Sequence, residues 1–579
     1  MRERVRILYS GVQEAAIPLA RLMRRKIAEK SGDMPIVITD FAANQGGEDG
    51  LVIRLEIRPG VGEEGYSIED REGGVNVTGH DARGLLYGIG KLLRDAQYAE
   101  GAFRPGSWRG SSVPDAKVRG IYFATHFHNY YHDAPLDELI IYLEDVALWG
   151  YNTVSVWFDM HHYSSLYDPS AAEIIDRLRA LLKAAKQLGL MTCLGTLGNE
   201  AYAGSPPELR ADWTKQEGYR RGLGSHYHVE LCPSRPGAIE RMVEWKRELF
   251  HAFADIGLDI VWFFPYDQGG CTCSACRPWG AGGFLKVSKA SAAAARECLP
   301  GVQIVLSTWL FDYFTEGEWK GKEWAGLAEA VAEDASWIDY LLWDYNTTCD
   351  TGTGFILDPY LRQHGVPGNL PLIGFPEISM FATHPYGGWG ANPQPDYIQS
   401  IWDQSGELFQ GGFPYSEGLY EDMNKIICCR LYWDRHTTAD DAVKEYIAYE
   451  YSPLFVEPIF QAVKLMQSTY VRTVSGAAKD CPAGDEARYV IQRTEGIGEA
   501  YELLTQVENQ LEPRARNSWR WRILYLRSVI DFELLHHDFR ISERCEAALE
   551  ELETLYYADQ AATSVAPMTR RARAVYRPQ

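Results

Sequence analysis

The chain has 579 residues, more than one hydrophobic core usually supports, so a large domain with smaller ones attached is expected. Its 57 Lys and Arg against 79 Asp and Glu give a formal charge of −22, a sign that repels a phosphate backbone and predicts neither nucleic acid nor an anionic membrane surface as partner. A composition of 46% apolar and 23% charged residues excludes extended disorder, and no apolar run of roughly 18 residues is present to span a bilayer.

The first residues, Met1 to Leu8, are charged and strand-like and lack a signal-peptide core, so a cytoplasmic address is expected. Eleven cysteines, an odd number at irregular spacing, suit reduced thiols or a metal better than a disulfide framework. The 17 Trp, 34 Tyr and 21 Phe often share segments with carboxylates and glycines. Such faces stack on sugar rings, although aromatic cores are the plainer reading.

In chain order, residues 5–11 read as a strand and 12–31 as a helix, followed by strands Pro35–Asp40, Leu51–Ile57, Glu64–Asp70 and Gly74–Gly79 and the helix Asp81–Arg94. This predicts a small α/β domain over 1–115, closed by a Gly-, Ser-, Arg- and Pro-rich linker at about 101–115. From Val118 apolar strands alternate with helices, the pattern of a parallel sheet built from βα units. Eight strands are expected: Val118–Thr125, Thr153–Phe158, Met191–Gly195, Ile260–Pro265, Gln303–Trp309, Trp337–Trp343, Leu372–Phe375 and Gly412–Tyr415. That number over 116–435 predicts an α/β chain centred on a (β/α)8 TIM barrel with enlarged loops. After Trp433 strand signals stop, and Thr437–Tyr451, Pro458–Tyr470, Asp485–Leu511, Trp519–His537 and Glu543–Tyr557 read as amphipathic helices of a third domain, 436–579.

In such a barrel the carboxyl ends of the strands carry the chemistry. Here the first strand ends in His126-Phe-His-Asn, the second in Asp159-Met-His-His, the third in Gly198-Asn199-Glu200 and the fourth in Pro265-Tyr-Asp-Gln. The sixth ends in Trp343-Asp-Tyr-Asn, the seventh in Pro376-Glu377 and the eighth in Tyr415-Ser-Glu-Gly. Asp267, Asp344, Glu377 and Glu417 would thus converge on one cavity. Glycosidic cleavage needs a proton donor at the leaving oxygen and a second carboxylate as base or nucleophile, and neighbouring carboxyls split their pKa values to supply both. Asp267 is assigned as acid and Glu377 as base or nucleophile, with Asp344 able to share the base role. Glu417, His126, His128, Asp159, His162, Asn199, Trp309, Tyr345 and Tyr415 are candidate substrate contacts; for any single carboxylate the plainer reading is a salt bridge or a loop cap.

Cys271, Cys273 and Cys276 stand within six residues just beyond Asp267, a spacing able to give three zinc ligands, and Cys232 could reach them as a fourth. A structural zinc, reduced free thiols and a redox role all remain open, and no catalytic cofactor is expected. His126 and His128 lie two apart, as in the His-x-His motif opening a metal-dependent amidohydrolase barrel. That chemistry would also need histidines ending strands five and six, where Ser307-Thr-Trp309 and Trp343-Asp-Tyr345 stand instead.

Glu64-Gly-Tyr-Ser-Ile followed by Gly79-His-Asp-Ala-Arg-Gly-Leu-Leu-Tyr-Gly-Ile-Gly-Lys-Leu-Leu-Arg94 resembles the amino-terminal α/β domain shared by β-N-acetylhexosaminidases and α-glucuronidases. Arg119-Gly-Ile with Trp149-Gly-Tyr-Asn152, and Glu421-Asp-Met-Asn-Lys425 with Leu431-Tyr-Trp433, resemble the barrel entry and exit of the α-glucuronidase group. The resemblance implies a catalytic barrel followed by a helical domain, with an acid after strand four and an Asp and a Glu after strands six and seven. By strand these map onto Asp267, Asp344 and Glu377, with Asp in place of the family's Glu at the first. The Asp-Glu pair of β-N-acetylhexosaminidases is absent, since Gln268 follows Asp267.

The expectation is an exo-acting glycoside hydrolase removing a terminal sugar, first a uronic acid or derivative, from small oligosaccharides or glycosides. A β-N-acetylhexosaminidase-like enzyme, a non-catalytic carbohydrate-binding protein and a metal-dependent amidohydrolase are the alternatives. A homo-oligomer built through the helical segment is compatible with the sequence.

Overall fold

The computed structural model describes residues 4–10, 14–43, 50–126, 129–220, 229–266, 269–343, 358–378, 390–469, 472–475, 488–491 and 493–557. The amino-terminal part forms a six-stranded mixed sheet from β1 (Val5–Tyr9), β2 (Ile36–Asp40), β3 (Leu51–Ile57), β4 (Tyr66–Arg71), β5 (Gly74–Gly79) and β8 (Gly110–Ser112), in the order β2-β1-β3-β5-β4-β8. Helices α1 (Ala16–Ser31) and α2 (Ala82–Asp95) bury Leu19, Met23 and Ile27, and Leu85, Leu86, Ile89 and Leu93, in the core they share with Ile7, Ile53 and Val77. Asp81 starts α2, its carboxylate accepting from the Gly84 amide at 2.8 Å and from the Glu64 amide at 2.8 Å. The expected linker at 101–115 is not structureless: β6 (Gln97–Ala99) and β7 (Ala102–Arg104) make a hairpin, and β8 pairs antiparallel with β4 as the sheet's edge. Its small polar residues hid an edge strand that only pairing reveals.

The eight strands expected in the middle of the chain all form and close into a parallel barrel: β9 (Val118–Tyr122), β10 (Thr153–Trp157), β11 (Met191–Leu197), β12 (Ile260–Phe264), β13 (Gln303–Ser307), β14 (Tyr340–Trp343), β15 (Leu372–Gly374) and β16 (Gly411–Gly412). Both faces of these strands are covered, which is why they read as continuous apolar runs. Ile121, Val154, Leu194, Val261, Ile304 and Leu341 face the surrounding helices. Tyr122, Trp157, Trp262, Phe264, Phe375 and Phe413 fill the lumen. Gly195 makes room for this aromatic interior, because a Cβ there would lie 2.4 Å from the Trp157 ring.

Beyond the barrel run helices Asp422–Trp433, Ala439–Tyr446, Val456–Gln467, Ile497–Glu508, Trp519–His536 and Glu543–Leu555. The long helix expected over Asp485–Leu511 is corrected: Arg488–Ile491 pairs antiparallel with Arg472–Ser475, and the helix begins only at Ile497. Tyr489-Val-Ile491 is β-branched and aromatic, and that local preference prevails over the helical spacing. Among the described residues no helix is long and apolar enough to cross a membrane.

Candidate active site

The described part of the site is built at the carboxyl ends of β9, β10, β11, β13, β15 and β16. Its floor is aromatic. The Tyr122 and Tyr415 rings stack at 5.6 Å, Phe375 meets Tyr415 edge-on at 5.5 Å, and Trp309 stands 5.6 Å from Phe375. His126 lies over Trp157 with ring centroids 5.0 Å apart.

Glu377 and Glu417 come together around the Tyr415 phenol. A backbone bridge aligns Glu377 with Tyr415, whose amide donates to the Pro376 carbonyl at 2.9 Å, and the Tyr415 hydroxyl donates to Glu417. Burial, with the Glu417 charge next in weight, pushes the Tyr415 phenol well above its ordinary value and keeps it a hydrogen-bond donor. The Glu417 amide in turn donates to Glu421 at 2.9 Å, so the loop after β16 is fixed by its own carboxylates.

The second carboxylate group follows β10 and β11. Asp159 is 4% exposed and accepts the Trp157 indole hydrogen bond at 2.7 Å. Glu200 accepts from the Met160 amide at 2.7 Å and from His161 Nδ1 at 3.0 Å. Asp159 lies 3.8 Å from both His161 Nε2 and His162 Nε2. Burial raises the Asp159 carboxyl and the Glu200 charge raises it further, against the pull of His161. Burial alone would lower the His161 imidazole, but the Asp159 charge and the Glu200 hydrogen bond outweigh it and raise it. His162, by contrast, is lowered to about 4 by burial and by the neighbouring His161. A buried carboxyl biased toward its protonated form suits the role of a proton donor.

Glu230, which the sequence did not single out, completes this wall. An antiparallel bridge sets it against Glu200, and burial pushes its carboxyl up to about 8. Nothing local marks it, since the contact depends on a loop returning from far along the chain. Glu200 and His161 stood in the strand-end segments but became distinguishable from their neighbours only through these contacts.

Asn199 plays a different part from the one its position suggested. It is fully buried, and its amide donates to the Leu231 and Gly270 carbonyls, each at 2.9 Å, and accepts from the Gly270 amide at 3.1 Å. It braces the loop after β11 against the loop after β12. Cys232, Cys271, Cys273 and Cys276 come together, with one ligand atom from each within 4.8 Å of the others. Asp267, Asp344, His128 and Tyr345 lie outside the described residues.

No family model matches the chain. No curated protein matches it either. Among solved structures the chain is similar to a GH138 enzyme targeting pectin rhamnogalacturonan II, at 12% identity and a TM-score of 0.61 over 99% of this chain and 91% of that one. It is also similar to a family GH115 4-O-methyl-α-glucuronidase with specificity for decorated arabinogalactans, at 12% identity and a TM-score of 0.60 over 100% and 79% of the two chains. At such identity the likeness establishes the fold that these glycoside hydrolases share: a closed parallel barrel with attached α/β and helical parts.

Proposed function

We propose that the chain is an exo-acting glycoside hydrolase that removes a terminal sugar, first a uronic acid or derivative, from small oligosaccharides or glycosides. The observation that carries this reading is the carboxylate-lined mouth: Glu377 and Glu417 meet at the Tyr415 phenol across an aromatic floor from Asp159 and Glu200. Aromatic faces suit the apolar side of a sugar ring, and the carboxylates suit its hydroxyls. In the reaction one carboxyl gives its proton to the glycosidic oxygen. A second attacks the anomeric carbon or takes a proton from the attacking water. Glu377 is assigned the second role, Asp267 the first, and Asp344 assists Glu377. The uronic preference rests on the GH115 structure of matching fold, which is a 4-O-methyl-α-glucuronidase.

The test is turnover of aryl glycosides, both anomers of neutral, N-acetylated and uronic sugars, by wild type and Glu377→Gln side by side. The expected result is selective turnover of one sugar, lowered about 10²- to 10⁴-fold in the variant. Full activity in Glu377→Gln would remove that residue from the chemistry. A second reading, metal-dependent hydrolysis, is favoured by Asp159, His161 and His162, whose ligand atoms lie within 4.8 Å of one another. It predicts instead that ester or amide turnover is lost to a chelator and restored by zinc.

A further inference from the structure

Outside the carboxylate mouth, the described residues include a cluster of four thiols. Cys232 arrives from the segment after Glu230, and Cys271, Cys273 and Cys276 from the loop after β12. Cys271 and Cys276 are fully buried and Cys232 is 2% exposed. The Cys232 sulfur lies 3.6 Å from that of Cys273 and 3.7 Å from that of Cys276. These spacings rule out a covalent S–S bond, which is about 2.05 Å long. Four sulfurs at about 2.3 Å from one tetrahedral centre stand about 3.8 Å apart, so the Cys232–Cys273 and Cys232–Cys276 spacings match two edges of a tetrathiolate site, and all four sulfurs lie within 4.8 Å of one another.

Two polar groups approach the sulfurs. The Asp212 amide points at Cys271 Sγ from 3.4 Å, and Ser234 Oγ lies 3.1 Å from Cys276 Sγ. Donors of this kind stabilise thiolates and orient them. The backbone leaves space for the arrangement: a Cβ on Gly282 would fall 2.5 Å from the Cys276 carbonyl oxygen, so the following helical turn can close over the cluster only with glycine there.

We propose that Cys232, Cys271, Cys273 and Cys276 bind one structural zinc ion. Binding exchanges the thiol protons for Zn²⁺, with each proton released to solvent and no change of oxidation state. Four protein ligands leave no open position, so the ion has no part in catalysis. Its effect is mechanical. It ties the Leu231–Ser234 segment to the Gly270–Cys276 loop, the same two segments that Asn199 braces. Glu230 stands two residues before the first ligand, so the clamp also fixes the wall formed by Glu200 and Glu230.

The test is elemental analysis and native mass spectrometry of the untagged full-length protein, with Cys273→Ser, the least buried ligand, and Cys298→Ser, which lies outside the cluster. One zinc per chain is expected in wild type and Cys298→Ser, released on titration of the thiols with a mercurial and strongly reduced in Cys273→Ser. Cobalt(II) reconstitution should give the intense visible bands of a tetrahedral thiolate complex in wild type. Should Cys273→Ser fail to fold, the wild-type stoichiometry and the cobalt spectrum decide alone. Iron in place of zinc, a folded metal-free chain that takes up no cobalt, or a disulfide between any two of the four cysteines in non-reducing peptide maps would overturn the proposal.

Discussion

Glu230 shows how one buried carboxyl ties stability to pH. Burial is the main reason its carboxyl rises from 4.5 to about 8; the Trp213 hydrogen bond opposes this, the Glu200 charge adds to it, and His161 again opposes it. The folded chain therefore holds a proton that the unfolded chain releases near its ordinary value. The associated stability is complete below about pH 4.5, drains away as pH rises toward 8, and changes no further above that. Glu230→Gln carries the neutral form permanently. Its melting temperature is expected to exceed that of wild type by on the order of a few degrees at pH 9, with the gain shrinking toward zero near pH 5. An equal shift at both pH values would show that the glutamate is not protonated in the fold. The strand-end placement of Glu377 and Glu417 was legible in the sequence, because it follows from the strand pattern alone. Glu230 was not, because its role is created by a bridge to Glu200 that no local pattern encodes.

At the scale of elements, the patches of sequence that resembled a known amino-terminal domain and a known barrel entry meet in one brace. Arg119, at the start of β9, donates through Nε to the Gly150 carbonyl at 2.8 Å, through Nη1 to the Ala116 carbonyl at 2.8 Å, and through Nη2 to Glu64. Asn152 accepts from the Arg119 amide at 2.9 Å and donates to Glu64 at 3.2 Å, while Arg83 on α2 closes the group at 2.7 Å from Glu64. Arg119-Gly-Ile, Trp149-Gly-Tyr-Asn152 and Glu64-Gly-Tyr thus mark where the amino-terminal sheet is fastened to the barrel. Barrel strands were readable because both faces are apolar; β8 and the Arg488–Ile491 strand were not, because short strands are specified by their partners. Arg119→Met keeps the bulk but strips the charge from a buried carboxylate and leaves two buried carbonyls without their donor. A loss of about 3–5 kcal/mol is expected in denaturant unfolding. A cost below about 1 kcal/mol would mean that Arg83 and Asn152 satisfy Glu64 without Arg119.

For the whole molecule, a buried ionic network links all three parts of the chain. Arg520, on the Trp519–His536 helix, donates to Asp422 at 2.9 Å and to Asp145 at 3.1 Å. Asp145, on the barrel helix Leu136–Trp149, is in turn 2.6 Å from Lys26 on α1. The Tyr142 and Tyr446 hydroxyls each donate to Asp422 at 2.7 Å. Burial disfavours the Arg520 charge, but Glu450, Asp422 and Asp145 together hold it far above its ordinary value, so the guanidinium stays ionised. A chain of this length commonly unfolds part by part. Here Arg520 and Lys26 each have a partner within their own part, Glu450 and Glu29, but Asp145 is paired with cations of the two other parts, so releasing either part leaves it less compensated. Wild type is therefore expected to melt in a single calorimetric transition. Arg520→Leu leaves Asp422 buried without its cation, and should lower the midpoint and let the carboxyl-terminal helices come apart first, seen as a separate low-temperature step that reports helix loss by circular dichroism. Two resolved transitions in wild type, with the lower one unmoved in Arg520→Leu, would mean that the helical part is held by apolar contact alone and that the network follows the assembly of the three parts without enforcing it.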